Sequence, residues 1–232
     1  MIERYGQDGY VLERQRIPVE LVEAARADAY RMHSEAGGRF GTYGVYDHPD
    51  GTQWHRKHVH HLPAVAAILP HLPVCELLGN ETCGITHSKF SYKAAGKVQP
   101  WCPHQDAAYK HEARRGVTFA VPLETVGPEN GTLEILPGSH RFGILPHVVA
   151  YPLGIAQQPQ VEAQEMPHGD FVPIEATQGD VVALSLLTVH RSGPNRSQGL
   201  RAILFVEVEP YTDRLYDDMG GPVTLIATKE TP

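Results

Sequence analysis

The segment Trp101-Cys102-Pro103-His104-Gln105-Asp106 is the stretch around which the rest of this sequence is organised. His104 and Asp106 are two residues apart, so in an extended chain both side chains point to the same face. An imidazole and a carboxylate placed side by side are two of the three ligands of the 2-His-1-carboxylate arrangement. That arrangement leaves open positions on Fe(II) for a co-substrate and dioxygen. A His-x-Asp triplet also arises often by chance in a solvated loop, so the metal hypothesis requires a third ligand elsewhere in the chain.

Length and composition limit the classes of function that the chain can serve. At 232 residues, the sequence predicts a single domain, 1–232, with a substantial core. A formal net charge of −7 argues against a nucleic-acid partner. No apolar run approaches the roughly 18 residues of a membrane helix, and the N-terminus lacks the features of a secretory signal. The 3 cysteines are odd in number and irregularly spaced, which is typical of reduced thiols and predicts a cytoplasmic location.

The order of the elements predicts a protein that is mainly β with flanking α-helices. Apolar residues at helical spacing after Pro18 predict a helix that ends at Gly37-Gly38. Shorter helices are predicted over 63–69 and 73–79. Two-residue alternation predicts a strand from 84 to 93. Further strands are predicted over 7–14, 116–123, 132–136, 181–189 and 200–208, and loops over 38–54, 96–103 and 141–178, of which the last is either disordered or a lid. Many short strands, with the helices near the N-terminus, indicate a double-sheet β-barrel of the jelly-roll type.

His190 is the candidate for the third ligand. The sequence contains 14 histidines, of which only one or two need have a function, and several lie together between His55 and His61. His190 follows the apolar run 181–189. A histidine at the end of a buried strand is more often a hydrogen-bonded core residue than a ligand, and what changes this expectation is the residue type that follows in the next strand.

Arg201 is the candidate for an anion-binding residue. In its predicted strand it shares a face with Ile203 and Phe205, which is the face expected to point inwards. A buried arginine is costly unless an anion meets it, and a carboxylate matches the planar guanidinium best. Ser192 could add a hydroxyl donor to the same anion. The alternatives are that Arg201 pairs with a structural carboxylate such as Glu207 or is exposed.

Taken together, these motifs resemble the phytanoyl-CoA dioxygenase family. The motifs, which occur in the family's order and spacing, are His104-Gln-Asp106, Asn130-Gly-Thr-Leu-Glu-Ile-Leu-Pro-Gly-Ser-His140, Gly179-Asp180, and His190-Arg-Ser-Gly-Pro-Asn195 with Arg201. The similarity covers most of the chain, including the N-terminal Gly9-Tyr-Val segment. Members of this family are Fe(II)- and 2-oxoglutarate-dependent oxygenases built on a double-stranded β-helix, a cupin-like core, and the resemblance implies the same fold and cofactors here.

The resemblance also implies a role for each matching residue. His104, Asp106 and His190 correspond to the iron ligands. Arg201 corresponds to the partner of the 2-oxoglutarate C5 carboxylate, and Ser192 assists it.

A further co-substrate contact comes, in similar enzymes, from a polar residue on the strand that precedes the first ligand. The candidates here are His87, Lys89 and Ser91, which share one face of that strand. His87 and Ser91 stand where the ectoine hydroxylase branch has amide side chains, so this sequence departs from that branch.

The implied reaction is hydroxylation of an unactivated C–H bond, with release of succinate and carbon dioxide. Related halogenases replace the carboxylate ligand with a small residue to admit chloride. Because Asp106 is present, hydroxylation is favoured over halogenation, while desaturation, epoxidation and ring formation remain open.

The sequence does not identify the substrate. Trp101, Tyr43 and Tyr46 are candidate substrate contacts, and the segments 38–61 and 141–178 are expected to set specificity. The short chain favours a small polar molecule, such as an amino acid or a secondary metabolite, over an acyl-CoA. Both a monomer and a homodimer remain possible.

Two other classes of function use the same residues. In a zinc hydrolase or isomerase, His104, Asp106 and His190 would activate water, but Arg201 would then have no role. In a non-catalytic binding protein, at least one member of the triad or Arg201 would be expected to have been lost.

Overall fold

The computed structural model describes residues 1–36, 45–47, 53–79, 82–96, 100–109, 115–150, 158–161, 165–212, 215–217 and 220–226. Within these ranges the α-helices are α1 (Ile2–Asp8), α2 (Val19–Ala36), α3 (Pro63–Ile68) and α4 (Val74–Leu78). The strands are β1 (Tyr10–Glu13), β2 (Val45–Asp47), β3 (Gln53–Lys57), β4 (Cys83–Lys93), β5 (Trp101–His104), β6 (Val117–Pro122), β7 (Leu133–Ile135), β8 (His147–Ala150), β9 (Gln158–Val161), β10 (Val172–Pro173), β11 (Val181–Ser185), β12 (His190–Ser192), β13 (Arg201–Pro210) and β14 (Thr224–Ile226). None of the helices in the described ranges combines the length and the apolar character needed to cross a membrane.

Two antiparallel sheets form the centre of the fold. The larger sheet has the strand order β1-β11-β6-β13-β4-β3-β2, and β14 also pairs with β4. The smaller sheet has the order β10-β7-β12-β5, while β8 and β9 pair only with each other. Residues of both large and small sheets line one pocket, which therefore lies between them. The predicted mainly β fold with a double-stranded β-helix (jelly-roll) core is confirmed.

Strand β4 separates the hydrophobic core from the pocket. Phe90 and Tyr92 are fully buried in the main hydrophobic cluster, whereas Lys89, Ser91 and Lys93 line the pocket. This alternation follows from the two-residue period of a strand, which sends successive side chains to opposite faces. The two-faced strand predicted from the sequence is confirmed.

Helix α2 packs on the face of the larger sheet that is opposite to the pocket. Its residues Val22, Ala25 and Ala29 recur every three or four positions and are fully buried in the same cluster as Tyr92. The Tyr92 hydroxyl donates a hydrogen bond of 2.8 Å to the Ala29 carbonyl oxygen. The helices predicted after Pro18 and over 63–69 and 73–79 are all present, so the apolar spacing was sufficient to place them.

The predicted strand 181–189 is wrong in its C-terminal half. Strand β11 ends at Ser185, and a turn follows in which the Thr188 N–H donates to the Ser185 carbonyl oxygen at 2.8 Å. The Thr188 hydroxyl donates to the Gly9 carbonyl oxygen at 2.8 Å. His190 therefore begins β12 and does not end β11. The apolar run hides this turn because the turn is as buried as the strands it joins.

Several segments predicted as loops contain strands. Strand β5 begins inside the predicted loop 96–103, β2 and the start of β3 lie inside 38–54, and β8, β9 and β10 lie inside 141–178. Strands β2, β5 and β10 are all at the edge of a sheet. Edge strands tolerate proline and polar residues, so their hydrophobic pattern is weak. Helix α1 was not predicted either.

Asp180 fixes the end of β1 against the turn before β11. Its carboxylate accepts hydrogen bonds from the Gln15 and Thr177 N–H groups, both at 2.9 Å, and from the Arg14 guanidinium at 2.8 Å. Burial alone would raise the pKa of Asp180, but these hydrogen bonds outweigh it and hold the pKa below its ordinary value. The ionised carboxylate therefore stabilises the folded state.

We expect Asp180→Asn to lower the free energy of unfolding by about 1–3 kcal/mol at neutral pH, because buried donors lose a charged acceptor. Since the pKa of Asp180 is depressed in the folded state, its contribution is present above the ordinary carboxylate pKa and is lost as the pH falls through the folded-state value. Urea unfolding of the wild type and variant should therefore converge in acid. A difference that stays constant at every pH, or an equal effect of Asp170→Asn at the exposed Asp170, would contradict this role.

Candidate metal centre

Three side chains from the smaller sheet and the turn beside it converge on one point. His104 is the last residue of β5, and Asp106 begins the 3-10 helix Asp106–Tyr109 that follows. His190 is the first residue of β12, which pairs with β5 so that His190 lies directly opposite His104. The two imidazole centroids are 4.3 Å apart. The pairing of two short strands thus brings together residues that are far apart in sequence.

The geometry of these three residues is that of a metal site. The Asp106 Oδ1 atom lies 3.7 Å from the Nε2 atom of His104 and 3.7 Å from that of His190. The three potential ligand atoms lie within 4.8 Å of one another, and all three residues are buried. Two imidazole nitrogens and one carboxylate oxygen on one side of a point are the donor set of the facial triad, which suits Fe(II) and leaves positions open for other ligands. The residues present therefore fit a divalent iron ion.

Hydrogen bonds to the distal atoms hold each candidate ligand in orientation. The Nδ1 atom of His104 donates to the Cys102 carbonyl oxygen at 2.8 Å, and that of His190 donates to the Thr188 carbonyl oxygen at 3.0 Å. With the proton on Nδ1, the Nε2 lone pair of each ring faces Asp106. Burial, followed by the proximity of His190, lowers the pKa of His104 well below its ordinary value. The neutral imidazole that a metal requires is thus the favoured form.

Thr118 performs the same task for the carboxylate. Its hydroxyl, on β6, donates to Asp106 Oδ2 at 2.6 Å, and both groups are buried. We expect Thr118→Val, which keeps the shape and removes the donor, to weaken iron binding by roughly tenfold to 100-fold. Titration of the apoprotein with Fe(II) under argon would measure this. Thr132→Val is the matched control, because the buried Thr132 hydroxyl donates to the Ile174 carbonyl oxygen outside the pocket. Equal losses in the two variants would assign Thr118 to fold stability alone.

Arg201 brings a positive charge into the same pocket. It is 2% exposed, and its Nη1 atom donates to the Ser91 carbonyl oxygen at 3.2 Å. Its buried Nε atom has no hydrogen-bond partner among the described residues. Burial lowers the pKa of Arg201 to about 10, opposed by Glu124, so the guanidinium remains charged at neutral pH. A buried charge with an unused donor requires an anion to complete its bonding.

Comparison with known proteins agrees with this geometry. Residues 5–203 match the phytanoyl-CoA dioxygenase (PhyH) family. The chain belongs to this family. The phytanoyl-CoA dioxygenase domain-containing protein 1 of Danio rerio is 31% identical over 180 residues, which are 76% of this chain and 59% of the relative. The L-proline trans-4-hydroxylase of Streptomyces griseoviridis is 25% identical over 196 residues, which are 75% of this chain and 73% of the relative.

A solved structure shares the fold. The crystal structure of EctD from S. alaskensis with bound Fe superposes with a TM-score of 0.71 at 20% identity, covering 93% of this chain and 78% of that one. The PhyH match thus spans most of this chain, and this chain covers 78% of the EctD structure but only 59% of the length of the Danio rerio relative. Membership of the PhyH family, inferred from the four motifs, is confirmed.

The sequence candidates for co-substrate contacts occupy different surroundings. Lys89 and Ser91 line the pocket, and the Lys89 Nζ atom lies 5.5 Å from the centroid of the Phe205 ring. His87 is buried and paired in register with Glu207, but it is not among the residues that line the pocket. Of the three candidates on this strand, Lys89 and Ser91 are the two that reach the site.

The candidates for substrate contacts are only partly within the described residues. Trp101 lines the pocket and meets the His104 ring edge-on at 6.2 Å between centroids. Tyr43 lies outside the described residues. Tyr46 belongs to β2, but the position of its side chain also lies outside the description.

Sequence reasoning missed several residues of the pocket, among them Lys93, Thr118 and Tyr109, and it named Glu207 only as a possible partner of Arg201. Lys93 and Glu207 carry a signal that was available, because they share strand parity with Ser91 and Arg201. Burial, followed by the nearby Lys89, lowers the pKa of His55 well below its ordinary value, and its ring meets Trp101 edge-on. His55 lies in the segment 38–61 that was expected to set specificity. The complete pocket encloses about 600 Å³, including the part that is open to solvent.

Proposed function

We propose that this chain is an Fe(II)- and 2-oxoglutarate-dependent dioxygenase that hydroxylates an unactivated C–H bond of a small molecule. The observation that carries the proposal is the position of two sites in one pocket: a facial set of two histidines and an aspartate, and a buried arginine with an unused donor. A zinc hydrolase would need the first site and have no use for the second.

The three candidate iron ligands and Arg201 have separate tasks in this reaction. Iron, when bound with 2-oxoglutarate and dioxygen, supplies the oxidising chemistry that converts 2-oxoglutarate to succinate and carbon dioxide and inserts oxygen into a C–H bond. His104, Asp106 and His190 would hold the metal through two imidazole nitrogens and a carboxylate oxygen. Arg201 binds the far carboxylate of 2-oxoglutarate through parallel hydrogen bonds. Burial of these groups keeps bulk water from the reacting atoms.

Asp106 determines which of the related reactions the site supports. A carboxylate ligand occupies the position that a halide would need, and Thr118 fixes it there by a hydrogen bond of 2.6 Å. Hydroxylation, and not halogenation, is therefore the reaction that we assign.

For the substrate, we propose an amino acid or a secondary metabolite. His55, Lys89 and Trp101 supply polar and aromatic surface beside the metal site. The relative from Streptomyces griseoviridis acts on L-proline, according to its name, which supports a small polar substrate.

The test is succinate release from 2-oxoglutarate by the anaerobically reconstituted Fe(II) protein on admission of oxygen, with free amino acids and related metabolites screened as substrates. The expected result is succinate formation that requires iron, oxygen and 2-oxoglutarate together, with a product heavier by one oxygen atom. Hydrolytic turnover with zinc and without 2-oxoglutarate would overturn the proposal in favour of a hydrolase. Failure to bind 2-oxoglutarate in the presence of iron would overturn it in favour of a different role.

A further inference from the structure

Lys93 is a buried lysine at the end of β4, beside Arg201. It is 1% exposed, and its Cα atom lies opposite that of Arg201 in the pairing of β4 with β13. Gly131, at φ 76°, provides space for the lysine chain, because a Cβ atom added there would lie 2.9 Å from the Lys93 Cδ atom. The surrounding structure thus leaves room for the Lys93 side chain.

The Lys93 ammonium donates to three acceptors in two consecutive residues, Ser192 and Gly193. Its Nζ atom donates to the Ser192 carbonyl oxygen at 3.2 Å, to the Ser192 hydroxyl at 2.8 Å, and to the Gly193 carbonyl oxygen. An ammonium group has three donors and no acceptor. The three acceptors of the protein therefore use its full capacity, and Lys93 is not available to bind a ligand directly.

The direction of the bond to Ser192 has a consequence for the serine. Because the ammonium form of Lys93 can only donate, the Ser192 Oγ atom accepts its hydrogen bond, and the serine's own hydrogen points elsewhere. No described group accepts a hydrogen bond from this hydroxyl, although Ser192 lines the pocket together with Arg201. The hydroxyl hydrogen is thus available to an acceptor bound in the pocket.

The charges around Lys93 favour an anion as that acceptor. Burial, followed by the nearby Arg201, lowers the pKa of Lys93 well below its ordinary value, while Glu134 opposes the shift. Glu134 is itself engaged by the Arg191 guanidinium at 2.7 Å. This shift disfavours the ammonium form of Lys93 while no anion is near, and among the described residues neither Lys93 nor Arg201 forms an ion pair with a carboxylate. A bound carboxylate would relieve their repulsion.

We propose that Lys93 is a positioning residue for the far carboxylate of 2-oxoglutarate. It acts through Ser192, by fixing the serine hydroxyl as a donor to the carboxylate that Arg201 binds. This inference rests on the proposed function, since it requires 2-oxoglutarate as the ligand. It adds to that function a second cationic side chain, which acts on the bound carboxylate through Ser192 and does not contact it.

The experiment is a double-mutant cycle between Lys93→Met and Ser192→Ala. The affinity of the anaerobic Fe(II)-loaded protein for 2-oxoglutarate is measured by calorimetry, and the free energy of unfolding by urea titration. Each single variant should raise the Kd roughly tenfold, because each removes one hydrogen bond to a charged group. The double variant should bind about as well as either single variant, since both act through the same hydroxyl. Iron affinity should be unchanged in all of them.

Lys89→Met is the matched control, because Lys89 lies on the same face of β4 but does not bond to Ser192. Its effect should add to that of Ser192→Ala. If Lys93→Met does not fold, Lys93→Leu, which also removes the donor, replaces it in the cycle. Unchanged affinity in the Lys93 variant, or full additivity with Ser192→Ala, would overturn the inference while leaving the proposed function intact. Absence of 2-oxoglutarate binding in the wild type would overturn the proposed function itself.

Discussion

His190→Ala is expected to abolish both iron binding and succinate formation. The His190 Nε2 atom is one of three atoms that face the same point, 3.7 Å from Asp106 Oδ1, and its ring is held there by the bond from Nδ1 to the Thr188 carbonyl oxygen. Removal of groups that merely orient a ligand costs roughly tenfold to 100-fold in affinity, so removal of the ligand itself should cost at least about 100-fold. The backbone pairing of β12 with β5 and β7 does not depend on the side chain, so the fold should persist.

The measurement is iron content after anaerobic reconstitution, together with succinate release and the urea midpoint. His61→Ala is the control, since His61 is exposed and does not line the pocket. It should keep the iron content and the activity of the wild type. Stoichiometric iron in the His190 variant would show that the three residues are not the metal site.

Arg201→Ala should separate the two sites within the pocket. We expect the Kd for 2-oxoglutarate to rise by about 100-fold or more, because a desolvated charge pair is lost, while iron binding stays close to that of the wild type. Arg201→Lys should recover only part of the affinity, because an ammonium lacks the planar pair of donors that matches a carboxylate. Calorimetry with 2-oxoglutarate and a parallel iron titration would distinguish the two effects.

Arg191→Ala is the comparison for charge alone. Arg191 also lines the pocket, but its Nε atom is bonded to Glu134 and its guanidinium stacks on Phe171 at 4.2 Å. We expect a much smaller loss of 2-oxoglutarate affinity there. Equal iron loss in the Arg201 and His190 variants would mean instead that Arg201 maintains the fold.

The sequence predicts the fold class and the convergence of the triad because both depend on residue patterns that can be recognised in the sequence alone. The alternation in β4 and the apolar spacing in α2 each determine which face is buried, and the order of motifs identifies the family. The exact ends of strands are not encoded in this way. The turn at 186–189 is as apolar as the strands it joins, and β5 contains a proline and lies at a sheet edge.

The role of Lys93 could not be predicted for a different reason. Strand parity places its side chain on the pocket face, but parity does not say that the turn after β12 brings the Ser192 and Gly193 carbonyl oxygens within reach. Contacts of that kind depend on the packing of one sheet against the other.

The two faces of β4 also bear on how the substrate specificity that we propose could be changed. Even-numbered positions such as Phe90 and Tyr92 hold the strand against α2, while the odd-numbered Lys89 faces the reacting centre from the same stretch of backbone. A combinatorial library confined to position 89 would therefore change the lining of the pocket at little cost in folding yield. Insertion of a single residue into this strand would exchange the two faces, so length variation there should be far less tolerated than change of side chain.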